Sequence, residues 1–216
     1  MLRAPLDLGA LRRVLAIGCH CDDVEIGCGG TLLWLARERP DLEVTLVVLS
    51  ANGARADEAR ASAAAFLAGF ERPPRLVFHT FRDGFLPYEG APVKEAFEAL
   101  KEIEPDLVLT HTRDDLHQDH RLACELTWNT FRDHLILEYE IPKYDGDLGS
   151  PNVFVPLGED LVRRKAELLV EHFPSQAGKH WFSEELFLGL LRIRGMEASS
   201  PTRYAEAFTC RKLLLR

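Results

Sequence analysis

The stretch that decides the fold is Arg13-Val-Leu-Ala-Ile-Gly-Cys19, an apolar run that leads directly into His20-Cys21-Asp22-Asp23. A continuous apolar run of this length is typical of a β-strand that is buried on both faces. A second run, Glu43-Val-Thr-Leu-Val-Val-Leu49, shows the same pattern more clearly. Strands buried on both faces occur where helices cover a parallel sheet, so the two runs predict an α/β protein.

Strand-like and helical segments alternate along most of the remaining chain. Further strands are predicted at residues 75–78, 106–110 and 135–139, and helices at residues 30–37, 57–67, 92–103, 120–134 and 159–171. With right-handed crossovers, this order predicts a doubly wound, Rossmann-like three-layer sandwich with a mostly parallel sheet. No linker-like or repetitive stretch divides the chain, so we expect a single domain spanning residues 1–216.

Composition and charge argue against several classes of protein. The chain has 34 acidic and 26 basic residues and a net charge of −8, which disfavours binding to nucleic acid or to anionic membranes. No apolar run approaches the roughly 20 residues of a transmembrane helix, and the polar start of the chain does not resemble a signal peptide. The five cysteines include no CxxC pair, which favours reduced thiols. We therefore expect a cytoplasmic protein that acts on a small molecule.

Acidic and imidazole side chains follow the predicted strands at the points where the strands end. His20, Asp22 and Asp23 come directly after the first strand, and His117 and His120 follow the strand at residues 106–110. The carboxyl ends of parallel strands meet at one edge of the sheet, where ligands bind. We therefore expect these side chains to lie close together.

This set of side chains has the chemistry of a catalytic metal site. A histidine and an aspartate three residues apart, with a distant imidazole, supply ligands for Zn²⁺ or another divalent ion and leave a fourth position open. A carboxylate that is not a ligand can take a proton from water, and a further histidine can stabilise an oxyanion. The alternative is that the acids cap helices, with Asp114 or Asp115 beginning one helix and Asp22 another. That alternative leaves the clustered acids and imidazoles without the partner that a metal would provide.

The segment Ala16-Ile-Gly-Cys-His-Cys-Asp-Asp-Val-Glu-Ile-Gly-Cys-Gly-Gly-Thr31 resembles the opening signature of the LmbE-like, or PIG-L, deacetylase family. That signature is a hydrophobic strand followed by H-P-D-D-E and a G-C-G-G-T-type helix entry. The second family signature, H-x-D-H, is present as His117-Gln118-Asp119-His120. Weaker signatures follow in the expected order, as Arg55-x-x-Glu58, Asp83-Gly84 and His172-x-x-Ser175-Gln176. The family includes the deacetylases of glycosylphosphatidylinositol, mycothiol and bacillithiol biosynthesis.

The resemblance implies a metal centre and a base. His20, Asp23 and His120 would be the three zinc ligands, and Asp22 would be the general base. The native metal stays open, because a nitrogen and oxygen ligand set also accepts Fe²⁺ or Mn²⁺.

The resemblance also implies roles around that centre. His117 would stabilise the oxyanion or assist the leaving amine. Asp119, although not a metal ligand, would adjust the orientation and basicity of a site histidine. Arg55 and Asp83 resemble the positions that hold sugar hydroxyls. The implied reaction is hydrolysis of an N-acetyl group from an N-acetylglucosamine-type amino sugar, by a protein that forms a homo-oligomer.

Three alternatives differ in their chemistry. An amidase would act on a larger sugar amide or conjugate, and a sugar-binding protein would bind without catalysis. A phosphohydrolase of the HD type would need an all-helical scaffold, which the strand pattern opposes. Residues 138–152 contain polar, aromatic and turn residues, and are either a substrate lid or an ordinary surface crossover.

Three features of the first signature need a separate explanation. Cys21 replaces the usual proline, and its side chain should point away from its neighbours, so we expect packing or substrate contact and not metal ligation. Val24 stands where the family often has glutamate, and Glu25 could cover part of that role. The glycines at 27, 29 and 30 lack the GxGxxG spacing, which favours tight packing at a helix entry over dinucleotide binding.

Overall fold

The computed structural model describes residues 8–214. Within this range the strands form one sheet of seven, in the order β3-β2-β1-β4-β5-β7-β6. The strands are β1 (Arg13–Gly18), β2 (Glu43–Val48), β3 (Arg75–Phe78), β4 (Leu107–His111), β5 (Leu135–Tyr139), β6 (Val153–Leu157) and β7 (Tyr204–Thr209). The α-helices of the same range are α1 (Asp23–Glu38), α2 (Gly53–Phe66), α3 (Gly90–Ala99), α4 (Gln118–Thr130), α5 (Glu159–His172) and α6 (Glu184–Glu197). None of these helices combines the length and apolar character that crossing a bilayer requires.

The sheet is parallel from β3 to β5, with an antiparallel edge. β1 pairs with β2 and β4, β2 also pairs with β3, and β4 with β5, all in parallel. β7 runs antiparallel to both β5 and β6. The predicted α/β fold with a mostly parallel sheet is confirmed. The edge strands β6 and β7 and the helix α6 were not predicted.

Side-chain alternation along β1 explains why its whole run is apolar. Val14 and Ala16 belong to a core cluster with residues of α1, α2 and α5, whereas Leu15 and Ile17 belong to one with residues of α3 and α4. Successive side chains of a strand point to opposite faces, so a central strand covered on both faces is apolar throughout. β1 lies between β2 and β4, where the chain changes direction across the sheet. The loops after β1 and β4 therefore open at the point where such sheets bind ligands.

The helix α1 begins at Asp23, well before the predicted start at residue 30. It contains a kink at Cys28, where the backbone angles are φ −142° and ψ 15°. The predicted helix corresponds to the part after the kink. The part before the kink is the first turn after β1, and it places Asp23 at the edge of the sheet where the parallel strands end.

A buried ion pair stabilises this kink. Glu206 of β7 accepts hydrogen bonds from the backbone N–H groups of Gly30 (2.7 Å) and Thr31 (2.6 Å). Lys165 of α5 donates to the carbonyl of Ile26 and lies 2.6 Å from Glu206. A kink leaves backbone groups without helical partners, and buried groups of this kind need other partners. Glu206 and Lys165 supply them.

Candidate active site

Three of the predicted residues place their donor atoms at the corners of a nearly equilateral triangle. His20 Nδ1 lies 3.2 Å from His120 Nε2 and 3.3 Å from Asp23 Oδ2. His120 Nε2 lies 3.5 Å from Asp23 Oδ2. In a tetrahedral zinc site with bonds of 2.0–2.2 Å, neighbouring ligand atoms lie about 3.3 to 3.6 Å apart. The three atoms therefore have the spacing of a three-ligand zinc site.

Local backbone structure positions these atoms. His20 follows β1, Asp23 is the first residue of α1, and His120 lies in the first turn of α4. Asp23 Oδ2 accepts a hydrogen bond from the backbone N–H of His20 (2.7 Å), which closes the turn between strand and helix. All three residues are buried, with 2 to 8% of their surface exposed. Three buried donor atoms that converge in this way suit a cation at the centre of the triangle, which would bind all three.

Asp22 lies beside the triangle with one carboxylate oxygen available. Its Oδ1 accepts a hydrogen bond from Arg55 Nη2 (3.0 Å). Its Oδ2 is buried and has no hydrogen-bond partner among residues 8–214. Burial, together with the negative charge of Asp23, raises the pKa of Asp22, and the charge of Arg55 opposes this shift. A carboxylate of raised basicity with a free oxygen is suited to take a proton from water.

His117 is the N-cap of α4, and this position decides which ring nitrogen carries its proton. Its Nδ1 accepts a hydrogen bond from the backbone N–H of Asp119 (3.2 Å). Burial and the nearby charge of His20 lower the pKa of His117, which favours the neutral ring. A neutral imidazole that accepts at Nδ1 carries its proton on Nε2. His117 can therefore donate a hydrogen bond from Nε2, with its ring centre 4.5 Å from that of His120.

Asp119 connects this histidine segment to the loop after β3. Its two oxygens accept hydrogen bonds from the backbone N–H groups of Gly84 (2.7 Å) and Leu86 (3.1 Å). Oδ2 also lies 3.4 Å from His20 Nε2, the ring nitrogen that faces away from the triangle. Asp119 is thus placed to orient His20, as metal ligands are commonly oriented by a carboxylate behind them.

Arg55 and Asp83 form the more exposed side of the site. Asp83 Oδ1 lies 3.1 Å from His20 Nε2, and Arg55 Nη1 lies 3.6 Å from Asp83 Oδ2. The contact with His20 lowers the pKa of Asp83 to about 2. The side chain of Asp83 is 57% exposed, so solvent and small molecules can reach it.

A comparison with known proteins identifies the family of this chain. Residues 15–131 match PIG-L, described as GlcNAc-PI de-N-acetylase, over more than half of the 216 residues. This chain belongs to the PIG-L family. The matched range includes every residue predicted for the site, so the resemblance drawn from the sequence signatures is confirmed.

Solved structures show how widely the fold of this PIG-L chain occurs. N,N'-diacetylchitobiose deacetylase from Pyrococcus horikoshii is 22% identical, with a TM-score of 0.73 over 94% of this chain and 85% of that one. A zinc-inhibited form of teicoplanin deacetylase is 17% identical, with a TM-score of 0.68 over 92% and 97%. The 4-carboxy-2-hydroxymuconate hydratase of Pseudomonas putida is also 17% identical, with a TM-score of 0.75 over 95% and 98%. Because a hydratase shares the fold, the reaction has to be argued from the site.

His111 also lies at the site of this PIG-L chain, although the family signatures assign it no role. It is fully buried at the end of β4, and its ring stacks on His120 with 3.9 Å between centres. Its Nε2 accepts a hydrogen bond from the backbone N–H of Cys19 (3.1 Å) and lies 3.2 Å from Asp23 Oδ2. The signal that pointed to it was its place directly after a strand that neighbours β1 in doubly wound sheets.

A second, deeper group of donor atoms overlaps the triangle. Cys19, Asp23, His111 and His120 bring four possible ligand atoms within 4.8 Å of one another. Burial raises the pKa of the Cys19 thiol well above its usual value, and metal ligation requires the thiolate. His111 Nε2 also already accepts the Cys19 N–H. The triangle of His20, Asp23 and His120 is therefore the better site for a cation.

Asp115 lies directly behind His120. Its Oδ2 is 2.9 Å from His120 Nδ1, and its Oδ1 accepts the backbone N–H of His117 (2.8 Å). Burial alone would raise the pKa of Asp115, but the hydrogen bond with His120 and the surrounding positive charges hold it well below its usual range. The alternative that Asp114 or Asp115 begins the helix is wrong, because His117 caps α4. Asp22 stands at the N-cap position of α1 but makes no capping hydrogen bond with its side chain.

Cys21 and Glu25, which belong to the altered part of the first signature, contact residues outside the triangle. Cys21 Sγ contacts the carbonyl of Ser50 at 3.6 Å, and burial raises the pKa of its thiol to about 12. Cys21 is in none of the donor groups formed by residues 8–214. Glu25 is fully buried and accepts a hydrogen bond from Ser62 of α2 (2.8 Å). Its carboxyl group therefore packs against α2, and we find no contact that replaces the missing glutamate at Val24.

Glu25→Gln is expected to raise the free energy of unfolding by about 3 kcal/mol near pH 7. Burial raises the pKa of Glu25 from its ordinary value of 4.5 to about 8. The folded protein therefore keeps a proton that the unfolded chain releases, and the contribution of Glu25 to stability falls as pH rises from 4.5 to about 8. Glutamine keeps the hydrogen bond with Ser62 and has no proton to lose, so its advantage should shrink toward zero near pH 5. Urea denaturation at both pH values measures the difference.

Glu125→Gln is the control for this experiment, because Glu125 is exposed on α4. Its effect on stability should be small and the same at both pH values. An equal effect of Glu25→Gln at the two pH values would show that Glu25 is ionised in the folded protein.

Proposed function

We propose that this PIG-L chain hydrolyses an N-acetyl group from an N-acetylglucosamine-type amino sugar, releasing acetate and the free amine. The proposal depends on a divalent metal ion, Zn²⁺ first and Fe²⁺ or Mn²⁺ as alternatives, held by His20, Asp23 and His120. The observation that carries it is the zinc-like spacing of their donor atoms, 3.2 to 3.5 Å apart, beside the free Oδ2 of Asp22.

The metal would polarise the acetyl carbonyl and lower the pKa of water toward neutrality. Asp22 acts as the general base: its free Oδ2 takes a proton as water adds to the acetyl carbon. Arg55, hydrogen-bonded to Oδ1, holds the carboxylate in place. The proton that Asp22 has taken then passes to the departing nitrogen, so the remaining task is to stabilise the oxyanion and the departing amine by hydrogen bonding.

We assign this task to His117. Its Nε2–H donates a hydrogen bond to the oxygen that gains negative charge, and the same side chain assists the departing amine. Asp119 keeps His20 oriented through the contact at Nε2. The reaction balances as one amide and one water giving one carboxylate and one protonated amine.

The substrate is a small amino sugar, and Arg55 and Asp83 hold its hydroxyl groups. A guanidinium donates several hydrogen bonds and a carboxylate accepts them, which matches the paired donors and acceptors of a sugar ring. Two deacetylases with this fold are named for sugar-containing substrates, diacetylchitobiose and teicoplanin. The homo-oligomer implied by the family resemblance stays a prediction.

Removing the metal is expected to abolish acetate release. The protein is stripped with a chelator and assayed for acetate on N-acetylglucosamine, N,N'-diacetylchitobiose and an N-acylated glycopeptide, then assayed again after adding one equivalent of Zn²⁺, Fe²⁺ or Mn²⁺. We expect activity to fall below about 1% and to return with at least one of the three ions, because catalytic metals commonly contribute several kcal/mol to such reactions.

The same panel separates the alternatives. Release of a larger acyl group without acetate from the small sugars would indicate an amidase. Sugar binding without any product would indicate a binding protein. Full activity after the metal has been removed would contradict the proposed metal-dependent reaction.

A further inference from the structure

The segment between β5 and β6 is held against the metal site by two buried charged side chains. The side chains of Lys143 and Asp147 are only 10% and 4% exposed, whereas Tyr144 between them is 72% exposed. Gly146 has a φ of +64°, a backbone conformation that favours glycine, and the turn brings Asp147 back to Lys143. The segment therefore presents Lys143 and Asp147 inward, whereas Tyr144 and Asp145 are exposed.

Lys143 links this segment to the loop that precedes α4. Its Nζ lies 2.9 Å from Asp115 Oδ2 and 2.5 Å from Asp147 Oδ2. Asp147 Oδ2 also accepts the backbone N–H of Leu116 (2.7 Å). One ammonium group thus joins two carboxylates that belong to different loops.

The same oxygen of Asp115 that contacts Lys143 also contacts the imidazole of His120. Asp115 Oδ2 lies 2.9 Å from both Lys143 Nζ and His120 Nδ1. Asp115 Oδ1 fixes the backbone of His117. A displacement of Asp115 would therefore move a metal ligand and the proposed hydrogen-bond donor together. Carboxylates behind ligating histidines control the orientation and basicity of the ring.

We infer that Lys143 is a positioning residue for the metal centre, acting through Asp115 on His120. The inference rests on the metal site of the proposed function. Five carboxylates surround this site: Asp22, Asp23, Asp83, Asp115 and Asp119. Among the lysines and arginines of residues 8–214, Arg55 forms ion pairs with Asp22 and Asp83, and Lys143 forms one with Asp115. Asp23 and Asp119 contact histidines instead. Without Lys143, Asp115 and Asp147 would face each other as two buried negative charges, and one of them would have to move.

The ends of the segment are fixed independently of Lys143. Arg194 of α6 forms two 2.7 Å contacts with the carboxylate of Glu140 and donates to the carbonyl of Gly149 (3.1 Å). Paired contacts between a guanidinium and a carboxylate are strong and directional. A substitution at Lys143 should therefore release the middle of the segment while both ends stay in place.

The test is Lys143→Met, with Zn²⁺ affinity measured by competition against a chromophoric chelator. We expect the dissociation constant for Zn²⁺ to rise about tenfold, the lower end of the effect seen when a partner behind a ligand is removed. Lys143→Arg, which keeps the charge, should recover most of the affinity. Lys94→Met is the matched control, since Lys94 is a lysine on α3 paired with Glu98 at the surface, and it should leave the affinity unchanged.

A double-variant cycle distinguishes positioning through Asp115 from a general loss of structure. In an Asp115→Asn background, Lys143→Met should change the Zn²⁺ affinity by less than about twofold, because residues that act through one another are not additive. An unchanged affinity in Lys143→Met, or a full tenfold effect on top of Asp115→Asn, would overturn the inference. If circular dichroism shows that the methionine variant is unfolded, Lys143→Gln is measured against the same two outcomes.

The readout also separates this inference from the proposed reaction. Zn²⁺ affinity is measured without substrate, so weaker binding in Lys143→Met would stand even if the wild-type protein released no acetate. Conversely, acetate release by the wild type together with unchanged affinity in the variant would leave the proposed function intact and remove the role of Lys143.

Discussion

Asp22→Asn is expected to lower kcat for acetate release about a thousandfold while leaving the Zn²⁺ affinity unchanged. General bases contribute roughly 10² to 10⁴ to the rate, and a thousandfold loss corresponds to about 4 kcal/mol of activation free energy. Asparagine has nearly the same shape as aspartate and can still accept the hydrogen bond from Arg55, but it cannot take a proton. The variant therefore removes the base and keeps the packing around it.

The measurement combines steady-state acetate release with Zn²⁺ titration of the same preparation. Asp114→Asn is the control, because Asp114 is an exposed aspartate in the loop before α4 and its loss should leave kcat within about twofold. A variant at Asp22 that keeps more than a tenth of the wild-type kcat would show that another group is the base. A variant that loses Zn²⁺ would instead show that Asp22 is a ligand.

The residues of the triangle could be predicted because each lies at a place that general rules of α/β folds identify. His20 and Asp23 follow a strand that the apolar run marks clearly, and His120 follows another. The sequence does not say directly that β1 and β4 are neighbours, since β2 and β3 come between them in the chain. Doubly wound topology supplies that step, because it places the two strands side by side where the chain changes direction.

The antiparallel edge was not predicted, because each of its strands is interrupted by a residue that central strands rarely contain: Pro156 in β6 and Glu206 in β7. β6 lies at the end of the sheet, is half-buried over most of its length and contains Pro156, which is tolerated on edge strands. β7 contains Glu206, which is buried for a reason that lies elsewhere in the chain. Glu206 accepts hydrogen bonds from the backbone N–H groups that follow the kink in α1. The glycine-rich stretch around Cys28 is untypical of a helix, so the sequence pattern does not indicate that α1 begins at Asp23. Tertiary contacts decided both features.

The residues that contact the candidate metal site from neighbouring loops were missed for a similar reason. Lys143 and Asp115 lie in two loops without hydrophobic periodicity, and the contact between them depends on how the turn at Gly146 folds back. His111 looked like any polar residue at the end of a strand. Local pattern therefore located the candidate ligands, whereas the side chains that contact them from the neighbouring loops became visible only in three dimensions.

Gly27→Ala is expected to lower the free energy of unfolding by about 3 kcal/mol or more, at the upper end of the range for overpacked cores. A Cβ atom at this position would lie 2.2 Å from Cδ2 and 2.6 Å from Cγ of Tyr139, far inside van der Waals contact. Tyr139 cannot easily move, because it is fully buried and its hydroxyl donates to the carbonyl of Ile17 (2.6 Å). The glycine is thus explained by close packing of α1 on β5, as its spacing predicted. Urea denaturation measures the loss.

The chain offers a matched control in Gly189→Ala, where the new Cβ would meet nothing within 4 Å and alanine should stabilise α6 by up to about 1 kcal/mol.

Because Tyr139 also lies 3.3 Å from His111, beside the triangle, Gly27→Ala should weaken Zn²⁺ binding as well as stability. In a Tyr139→Ala background the ring is gone, so the substitution at Gly27 should then change stability by less than about 1 kcal/mol. A full 3 kcal/mol loss in that background would mean that Gly27 is required for its backbone conformation and not for the approach of Tyr139.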